Sequence, residues 1–321
     1  MNITRFDGAS GEGLEQVLAC DPVVPYRAHR CRIGARIYDR WAAERGARLL
    51  SSATGAFASA TGAIAWRKLD WDSELFGFPA ARIDLLAVRG GYSEARSTAC
   101  VLIEKAVEDA IGSAQIRHLS ARVDASSLGL AHALTDCGFE LIDGIQTFAL
   151  PLGERSQGEP AAHTRLAKET DAEAIAAIAR SSFVYDRFHN DLAIGVETAD
   201  RVHEAWARNS VSGQAADAVL VCCANDPESI DSFVTLKIDS ENAAALGMRI
   251  ATIPLVATAV EARGQGAARR ATEAALDWCR NERVDIVEVG TQISNIPAAR
   301  LYQAAGFRTT AISLTYRKLI E

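Results

Sequence analysis

Residues 256–268 read VATAVEARGQGAA and are the most informative part of the sequence for predicting its fold. A strand-like run, Val256–Thr258, leads into a turn with two glycines, and an alanine-rich helix follows. Gly264 and Gly266 let the backbone turn tightly and approach a ligand closely. The free N–H groups of such a turn and of the first helical turn point outward, and the helix dipole adds positive potential. The stretch therefore favours an anion such as a pyrophosphate, with Arg263 as a cation at its rim.

Two other phosphate-binding motifs fit this turn poorly. A dinucleotide-binding fold requires GxGxxG or GxGxxA, and here Arg269 stands at the third position. A Walker loop requires Gly-Lys-Ser/Thr, and the turn contains no lysine. The turn by itself therefore leaves two readings open, a phosphate site of another kind and an ordinary glycine turn before a helix.

A second motif follows at residues 291–307, which read TQISNIPAARLYQAAGF. Asn295 suits the N-cap of a short helix, and Pro297 is tolerated in its first turn. Helical spacing places Tyr302 on the same inward-facing stripe as Ala298. Taken alone, Tyr302 also fits a core tyrosine whose hydroxyl finds some partner.

Together, the two motifs resemble the GNAT family of acyl-CoA-dependent N-acyltransferases. Residues 263–268 are similar to the family's pyrophosphate loop, and residues 295–307 to the second half of its site. The resemblance covers about 164–321 and implies an α/β (α+β) GNAT fold, with acetyl-CoA as the acyl donor and Tyr302 beside the thioester sulfur as general acid. The cofactor-binding residues that it implies are Val256, Ala257, Thr258, Arg263, Gly264, Gln265, Gly266, Ala267, Ala268 and Asn295.

A narrower resemblance extends from about residue 66 to residue 321. Residues 69–77 (LDWDSELFG) and 182–191 (SFVYDRFHND) are similar to segments of the dTDP-4-amino-4,6-dideoxygalactose acetyltransferases, also called dTDP-fucosamine acetyltransferases. This implies a small-molecule acceptor, the amine of a nucleotide-linked 4-amino-4,6-dideoxy sugar. Two alternatives stay open: an N-acyltransferase for another amine (a different aminosugar, an antibiotic intermediate or an amino acid), and a non-catalytic acyl-CoA-binding protein.

The sequence predicts four parts along the chain. Residues 1–65 form an N-terminal extension of open role, and residues 66–152 form a degenerate GNAT-like half. Residues 153–163 are a polar Gly/Pro linker. Residues 164–321 form the catalytic GNAT domain.

A faint internal repeat supports the degenerate half. Gly138-Phe139 recurs 168 residues later as Gly306-Phe307. In this alignment Leu134 stands where Tyr302 does, and nothing near residues 91–100 matches the glycine loop. The first half is therefore expected to shape the fold and the substrate site while the chemistry lies in the second half.

The predicted reaction is direct attack of a neutral amine on the thioester. Tyr302 is protonated at neutral pH and donates to the departing thiolate, while backbone N–H groups of Val256–Thr258 polarise the carbonyl. The candidates for the base are Asp72, Glu74, Asp186, His189 and Asp191. Arg187, and secondarily Arg82, are candidates for meeting a diphosphate. The predicted substrate-binding residues are Glu74, Asp186, Arg187 and His189.

Composition excludes several classes of protein. The formal net charge of −7 gives no basic face for nucleic acid and no polybasic membrane anchor. The uncharged stretch Leu49–Trp66 is too rich in Ser, Thr and Gly to span a membrane, and is read as a buried or loop segment. No secretory signal is recognisable at the N-terminus.

The cysteines and histidines predict no metal or disulfide framework. The seven cysteines include no CxxC pair, which favours free thiols in a reducing cytosol. The six histidines show no paired metal-ligand spacing, so no metal is expected. The sequence predicts a cytoplasmic protein and leaves its oligomeric state open, a homodimer included.

Overall fold

The computed structural model describes residues 3–6, 13–153, 163–223 and 229–320. By packing, the chain forms two units: unit 1 comprises residues 1–145 and 312–321, and unit 2 comprises residues 146–311. Most of the predicted linker 153–163 lies outside the described residues. Among the helices in the described ranges, none has the length and apolar character that a bilayer crossing requires.

Unit 1 is a mixed sheet with helices packed on it. Its strands are β1 (Thr4–Arg5), β2 (Gly55–Ala58), β3 (Gly62–Lys68), β4 (Ala80–Val88), β5 (His118–Asp124) and β6 (Glu140–Pro151), and β6 continues into unit 2. Its helices are α1 (Leu14–Leu18), α2 (Arg30–Ile33), α3 (Ala35–Ser52), α4 (Asp70–Phe76), α5 (Tyr92–Ala114) and α6 (Leu128–Asp136).

The core of unit 1 follows from helical spacing on α5. Ala99, Leu102, Ile103 and Ala106 recur on one face of this helix, and all are buried against β3 and β4. Burying each of the larger side chains contributes about 2 kcal/mol.

The predicted N-terminal extension contributes to unit 1. Leu14, Val17 and Leu18 of α1 and Leu50 of α3 pack in one cluster with side chains of β3 and β4, among them Leu85. Residues 14–65 thus share a core with strands that follow them. The domain limits drawn from the sequence stay a prediction.

Unit 2 is a second mixed sheet with helices. Its strands are β7 (Thr164–Leu166), β8 (Ala218–Cys222), β9 (Ser232–Ile238), β10 (Ile250–Ile253), β11 (Val256–Thr258), β12 (Ile286–Gln292) and β13 (Arg308–Leu319), whose last part belongs to unit 1. Its helices are α7 (Ala172–Ser182), α8 (Val196–Val211), α9 (Ser240–Leu246), α10 (Ala267–Asn281) and α11 (Ile296–Ala304).

Two strands of unit 2 separate where the quoted stretch begins. β10 pairs in parallel with β12 from Ile250↔Ile286 to Ile253↔Val289. The next strand, β11, pairs with β9 alone, while β12 continues to Gln292. A gap therefore opens between β11 and the end of β12, next to the start of α10.

Each unit contains the same order of elements. In unit 1 it is β3-α4-β4-α5-β5-α6-β6, and in unit 2 it is β9-α9-β10/β11-α10-β12-α11-β13. Equivalent glycines end equivalent helices with left-handed backbone, Gly138 at φ 79° and Gly306 at φ 93°. The mixed α/β fold with a GNAT-like first half agrees with the prediction.

Candidate functional site

The glycine turn has the backbone conformation that its sequence predicts. Gly264 and Gly266 have φ values of 76° and 78°, in the left-handed region that favours glycine. A Cβ placed on Gly264 would meet no atom within 4 Å, so the demand for glycine there comes from the backbone and not from crowding. Gln265 closes the turn because its side-chain amide donates to the carbonyl of Glu261 at 2.7 Å.

The start of α10 presents free amides and positive charge. The first backbone bond of this 15-residue helix runs from Arg270 N–H to Gly266 C=O, so the amides of Ala267 and Ala268 lie outside the helical ladder. No acidic residue occupies the first turn. The Arg270 guanidinium donates to the carbonyl of Gln265 at 3.0 Å and stiffens the turn.

The equivalent helix of unit 1 shows what an inactivated version of this site is like. The carboxylate of Glu94, in the first turn of α5, accepts from the backbone N–H of Gly91 at 3.3 Å. A negative side chain thus occupies the helix N-terminus where α10 has none. The start of α5 is therefore less suited to an anion than the start of α10.

Strand β11 directs backbone groups into the gap. The N–H of Ala259 donates to the carbonyl of Asp231 at 2.8 Å, which shows that residue 259 faces β9. Because directions alternate along an antiparallel strand, Ala257 also faces β9, and the amides of Val256 and Thr258 point the other way. These are the amides that an extended thioester ligand would meet.

Two side chains converge on the carbonyl of Thr258 at the end of β11. Ser182, the last residue of α7, donates from its hydroxyl at 3.3 Å, and Arg263 Nε donates at 3.4 Å. The predicted loop arginine and the end of α7 therefore meet at one backbone atom. In the sequence, Ser182 is distinguished only by its position as the first residue of the segment 182–191.

Asn295 lies at the N-terminus of α11, as predicted. Its Oδ1 accepts from the backbone N–H of Ala298 at 3.2 Å, and Pro297 lies in the first turn. The cap uses the carboxamide oxygen, so the NH₂ group is the part of Asn295 able to donate to a ligand.

Tyr302 lies within the hydrophobic core of unit 2 and is 4% exposed. Its ring centroid is 5.8 Å from that of Phe148 and 5.9 Å from that of Phe307. Burial raises the pKa of the Tyr302 phenol well above its usual range. The phenol is therefore protonated across the neutral and mildly alkaline range.

Asp186 and His189 form hydrogen bonds with each other and with neighbouring residues. Asp186 Oδ1 accepts from the N–H of Phe188 at 2.9 Å, and Oδ2 lies 2.6 Å from His189 Nδ1. His189 Nε2 lies 3.0 Å from Asp200 Oδ1 on α8. Arg187, between them in sequence, places its guanidinium 4.2 Å from the Phe188 ring centroid.

The structure adds Asp200 and His203 to this group, which sequence reasoning missed. His203 Nε2 lies 3.7 Å from Asp186 Oδ2, and its Nδ1 lies 3.0 Å from the carbonyl of Ala199. Burial lowers the pKa of His203. The only sequence signal was the spacing of Asp200 and His203, three residues apart on a helix, which is common without any function.

The other base candidates lie elsewhere. Asp191 is buried, and its carboxylate accepts from the N–H of Ala193 at 3.1 Å, which is a turn-forming role. Asp72 and Glu74 lie on α4 of unit 1, where Glu74 is exposed. Arg82, also in unit 1, is paired with Asp84 at 2.6 Å. Of the predicted residues, the structure joins Asp186 and His189 in one hydrogen-bonded group with Asp200 of α8.

Unit 2, with its glycine turn before α10, has the strand and helix order of a GNAT fold. Residues 196–307 match the Acetyltransferase (GNAT) family, and this match spans 112 of the 321 residues.

Among curated proteins, the chain is similar to two sugar-related ones. It is 27% identical over 188 residues to dTDP-fucosamine acetyltransferase of Escherichia coli O6:H1. This match covers 59% of this chain and 75% of that protein. It is 26% identical over 187 residues to the spore coat polysaccharide biosynthesis protein SpsD of Bacillus subtilis. That match covers 58% of this chain and 61% of SpsD, so it spans less than two thirds of the relative's length.

A solved structure shares the fold over nearly the whole chain. It is a GCN5-related N-acetyltransferase from Sphaerobacter thermophilus, with a TM-score of 0.59 and 14% identity. The match covers 99% of this chain and 95% of that one. At this identity the likeness concerns the fold alone.

Proposed function

We propose that the protein is an acetyl-CoA-dependent N-acetyltransferase that acts on the amine of a nucleotide-linked 4-amino-4,6-dideoxy sugar. One observation carries the proposal: the glycine turn and the acid-free start of α10 lie beside the gap that β11 and β12 leave open. The printed name of the E. coli relative supports the sugar acceptor.

The cofactor would lie along β11. Its pyrophosphate would meet the amides of residues 264–268 with Arg263, and the pantetheine arm would follow the outward amides of Val256 and Thr258. The NH₂ group of Asn295 would donate to the same arm. The amides of Ala267 and Ala268 lie outside the helical ladder, and those of Val256 and Thr258 point away from β9, so these four are the donors best placed for the ligand.

The reaction would proceed by direct attack. The neutral amine nitrogen forms a bond to the thioester carbonyl carbon, the C–S bond breaks, the nitrogen loses a proton and the thiolate gains one. Amides of β11 would stabilise the oxyanion. A buried phenol is a weak acid, but a thiolate released into the same poorly solvated place also has a raised proton affinity, so Tyr302 would donate to it.

The test is an acetyl-transfer assay on the full chain. Purified protein is mixed with acetyl-CoA and dTDP-4-amino-4,6-dideoxygalactose, and both free thiol and acetylated sugar are measured. We expect one thiol per acetylated sugar. Thiol release without acetylated sugar would show only hydrolysis and would contradict the proposal.

An acceptor panel tests the alternative amines. It contains other aminosugars with and without a nucleotide, amino acids and simple amines, each with acetyl-CoA and with longer acyl-CoA. Preference for an amine that is not a nucleotide-linked sugar would replace the proposed acceptor. Tight CoA binding without transfer to any amine would favour the non-catalytic alternative.

A further inference from the structure

The connection between α7 and α8, residues 183–195, contains a buried polar network. Asp186 holds the turn through the backbone N–H of Phe188 and faces His189 Nδ1 at 2.6 Å. His189 Nε2 faces Asp200 on α8 at 3.0 Å. Both ring nitrogens of His189 therefore lie at hydrogen-bond distance from a carboxylate. The histidine therefore ties the connection to α8 through Nε2, while its Nδ1 bonds Asp186 within the connection.

His203 provides a second contact between α8 and the connection. Its Nδ1 donates to the carbonyl of Ala199, which fixes the ring in place on α8. The ring stacks on Phe183 with centroids 4.4 Å apart and planes 12° apart. Phe183 is the first residue of the connection, so α8 holds both its start and its middle.

The connection begins at the proposed acyl-CoA strand. Ser182 precedes it directly and donates to the carbonyl of Thr258, the atom that also accepts from the loop residue Arg263. Arg187 is the only arginine or lysine among residues 183–195. Its guanidinium lies over the buried ring of Phe188, whose backbone is the one that Asp186 holds.

We propose that the network of Asp186, His189, Asp200 and His203 is a positioning device that holds Arg187 for the phosphates of the acceptor. The inference rests on the proposed function, since a nucleotide-linked acceptor brings a diphosphate that needs a fixed cation. Arg187 touches the substrate, and the four network residues act through it. The network is assigned neither contact with the amine nor the role of base, because its polar atoms already bond one another.

A metal site is the competing reading of the same residues. Ligand atoms of Asp186, His189 and His203 lie within 4.8 Å of one another, a spacing that admits an ion. However, 2.6 Å between Asp186 and His189 is a hydrogen-bond distance, and both nitrogens of His189 already face carboxylates. Direct hydrogen bonds thus account for the distances between Asp186, His189 and Asp200 without a metal.

The experiment separates binding from transfer. Calorimetry measures the affinity for dTDP, with CoA at saturation so that the loop is occupied, for wild type, Arg187→Ala, His189→Gln and the double variant. We expect each single variant to weaken dTDP binding about tenfold and the double variant to be no weaker than Arg187→Ala. His132→Gln, an exposed histidine of unit 1, is the matched control and should bind like wild type.

Steady-state kinetics supply the second readout. In His189→Gln and Asp200→Asn, KM for the nucleotide-linked aminosugar should rise about tenfold while kcat and KM for acetyl-CoA stay within about threefold. The same aminosugar without its nucleotide should show no change in KM.

The outcomes distinguish the two proposals. Wild-type protein that binds dTDP but transfers no acetyl group overturns the proposed function alone. Absent dTDP binding, additive losses in the double variant, or an equal KM increase for the phosphate-free sugar overturns the positioning role. A rise in melting temperature with Zn²⁺ that His203→Ala abolishes would show a metal site instead.

Discussion

At the residue scale, the site depends on backbone conformation and on one buried phenol. The spacing of Gly264, Gly266 and Tyr302 was readable from the sequence because each position answers a local demand, for a left-handed turn or for an inward helical face. Asp200 and His203 were not readable in this way. Their contacts form only when the connection 183–195 folds against α8, and no local sequence pattern predicts that packing.

Tyr302→Phe should lower kcat by at least tenfold with little change in KM for acetyl-CoA. The substitution keeps the ring that packs on Phe148 and Phe307 and removes only the hydroxyl that we propose as the proton donor to the thiolate. Stopped-time assays across pH 6–9 provide the measurement, with melting temperature as the check on folding. A rate equal to that of wild type would remove Tyr302 from the chemistry.

Gly264→Ala should weaken acyl-CoA binding by roughly 1–2 kcal/mol. The added Cβ meets open space, but an alanine at φ 76° is strained by about that amount, and relief of the strain would turn the loop amides away. Calorimetry with CoA gives the affinity. The control is Gly112→Ala, inside α5 with nothing within 4 Å, which should stabilise unit 1 by about 0.5–1 kcal/mol and leave CoA binding unchanged.

Among the helices and strands, apolar runs predict the central strands. The predictions fail where proline, glycine or small polar residues interrupt or mask such a run. Residues 250–260 contain no charged residue and read as one continuous strand, but the structure divides them into β10 and β11. Pro254 lies at the break, where it has no N–H to give to a ladder. The uncharged stretch Leu49–Trp66 contains the β2–β3 hairpin, which its Ser, Ala and Gly content concealed.

Asp171, at the start of α7, should make the free energy of unfolding fall as the pH becomes acidic. Its carboxylate accepts from Arg165 at 2.6 Å and from the N–H of Lys168 at 2.6 Å, and the Arg165 bond holds its pKa below the usual range. The unfolded chain therefore takes up this proton first as pH falls. Asp171→Asn should reduce the free energy of unfolding by about 1–2 kcal/mol at pH 7.

That difference should vanish as pH falls through the ordinary aspartate pKa of about 4 and below it. Urea unfolding at pH 7, 5 and 3.5 provides the measurement. Asp285→Asn is a useful comparison because the Asp285 carboxylate accepts the backbone N–H of Arg249, and it has no arginine side chain paired with it in the part of the chain that the structure describes. A gap between wild type and Asp171→Asn that stays constant over this range would contradict the assignment.

The N-termini of α5 and α10, which occupy equivalent places in the two units, predict how many acyl-CoA molecules bind per chain. The start of α10 has free amides and no acid, whereas Glu94 already occupies the start of α5. We expect one CoA per chain by calorimetry. Arg263→Ala should weaken that single site, and Glu94→Gln should leave its affinity unchanged. Two sites of similar affinity would contradict the role given to Glu94.

At the scale of the whole molecule, the two units do not correspond to two consecutive pieces of chain. The sequence suggests a catalytic domain that begins at residue 164, yet unit 2 begins at Gln146, and residues 312–321 belong to unit 1. Within unit 1, the end of β13 pairs with β5 from Ser313↔Asp124 to Leu319↔His118. Pairing between residues so far apart leaves no trace in local pattern, which is why the sequence could not reveal it.

The assignment of residues 146–163 to unit 2 and of residues 312–321 to unit 1 predicts how a fragment of residues 164–321 will behave. The fragment lacks Phe148, which is fully buried in the core of unit 2 and packs on Tyr302, and its loss alone should cost about 3–5 kcal/mol. It also leaves the end of β13 without β5, an unpaired edge that favours aggregation. Since domains are stable by only about 5–15 kcal/mol, we expect the fragment to lack a cooperative thermal transition. A fragment that melts cooperatively and binds CoA with the affinity of the full chain would instead establish residues 164–321 as an independent domain.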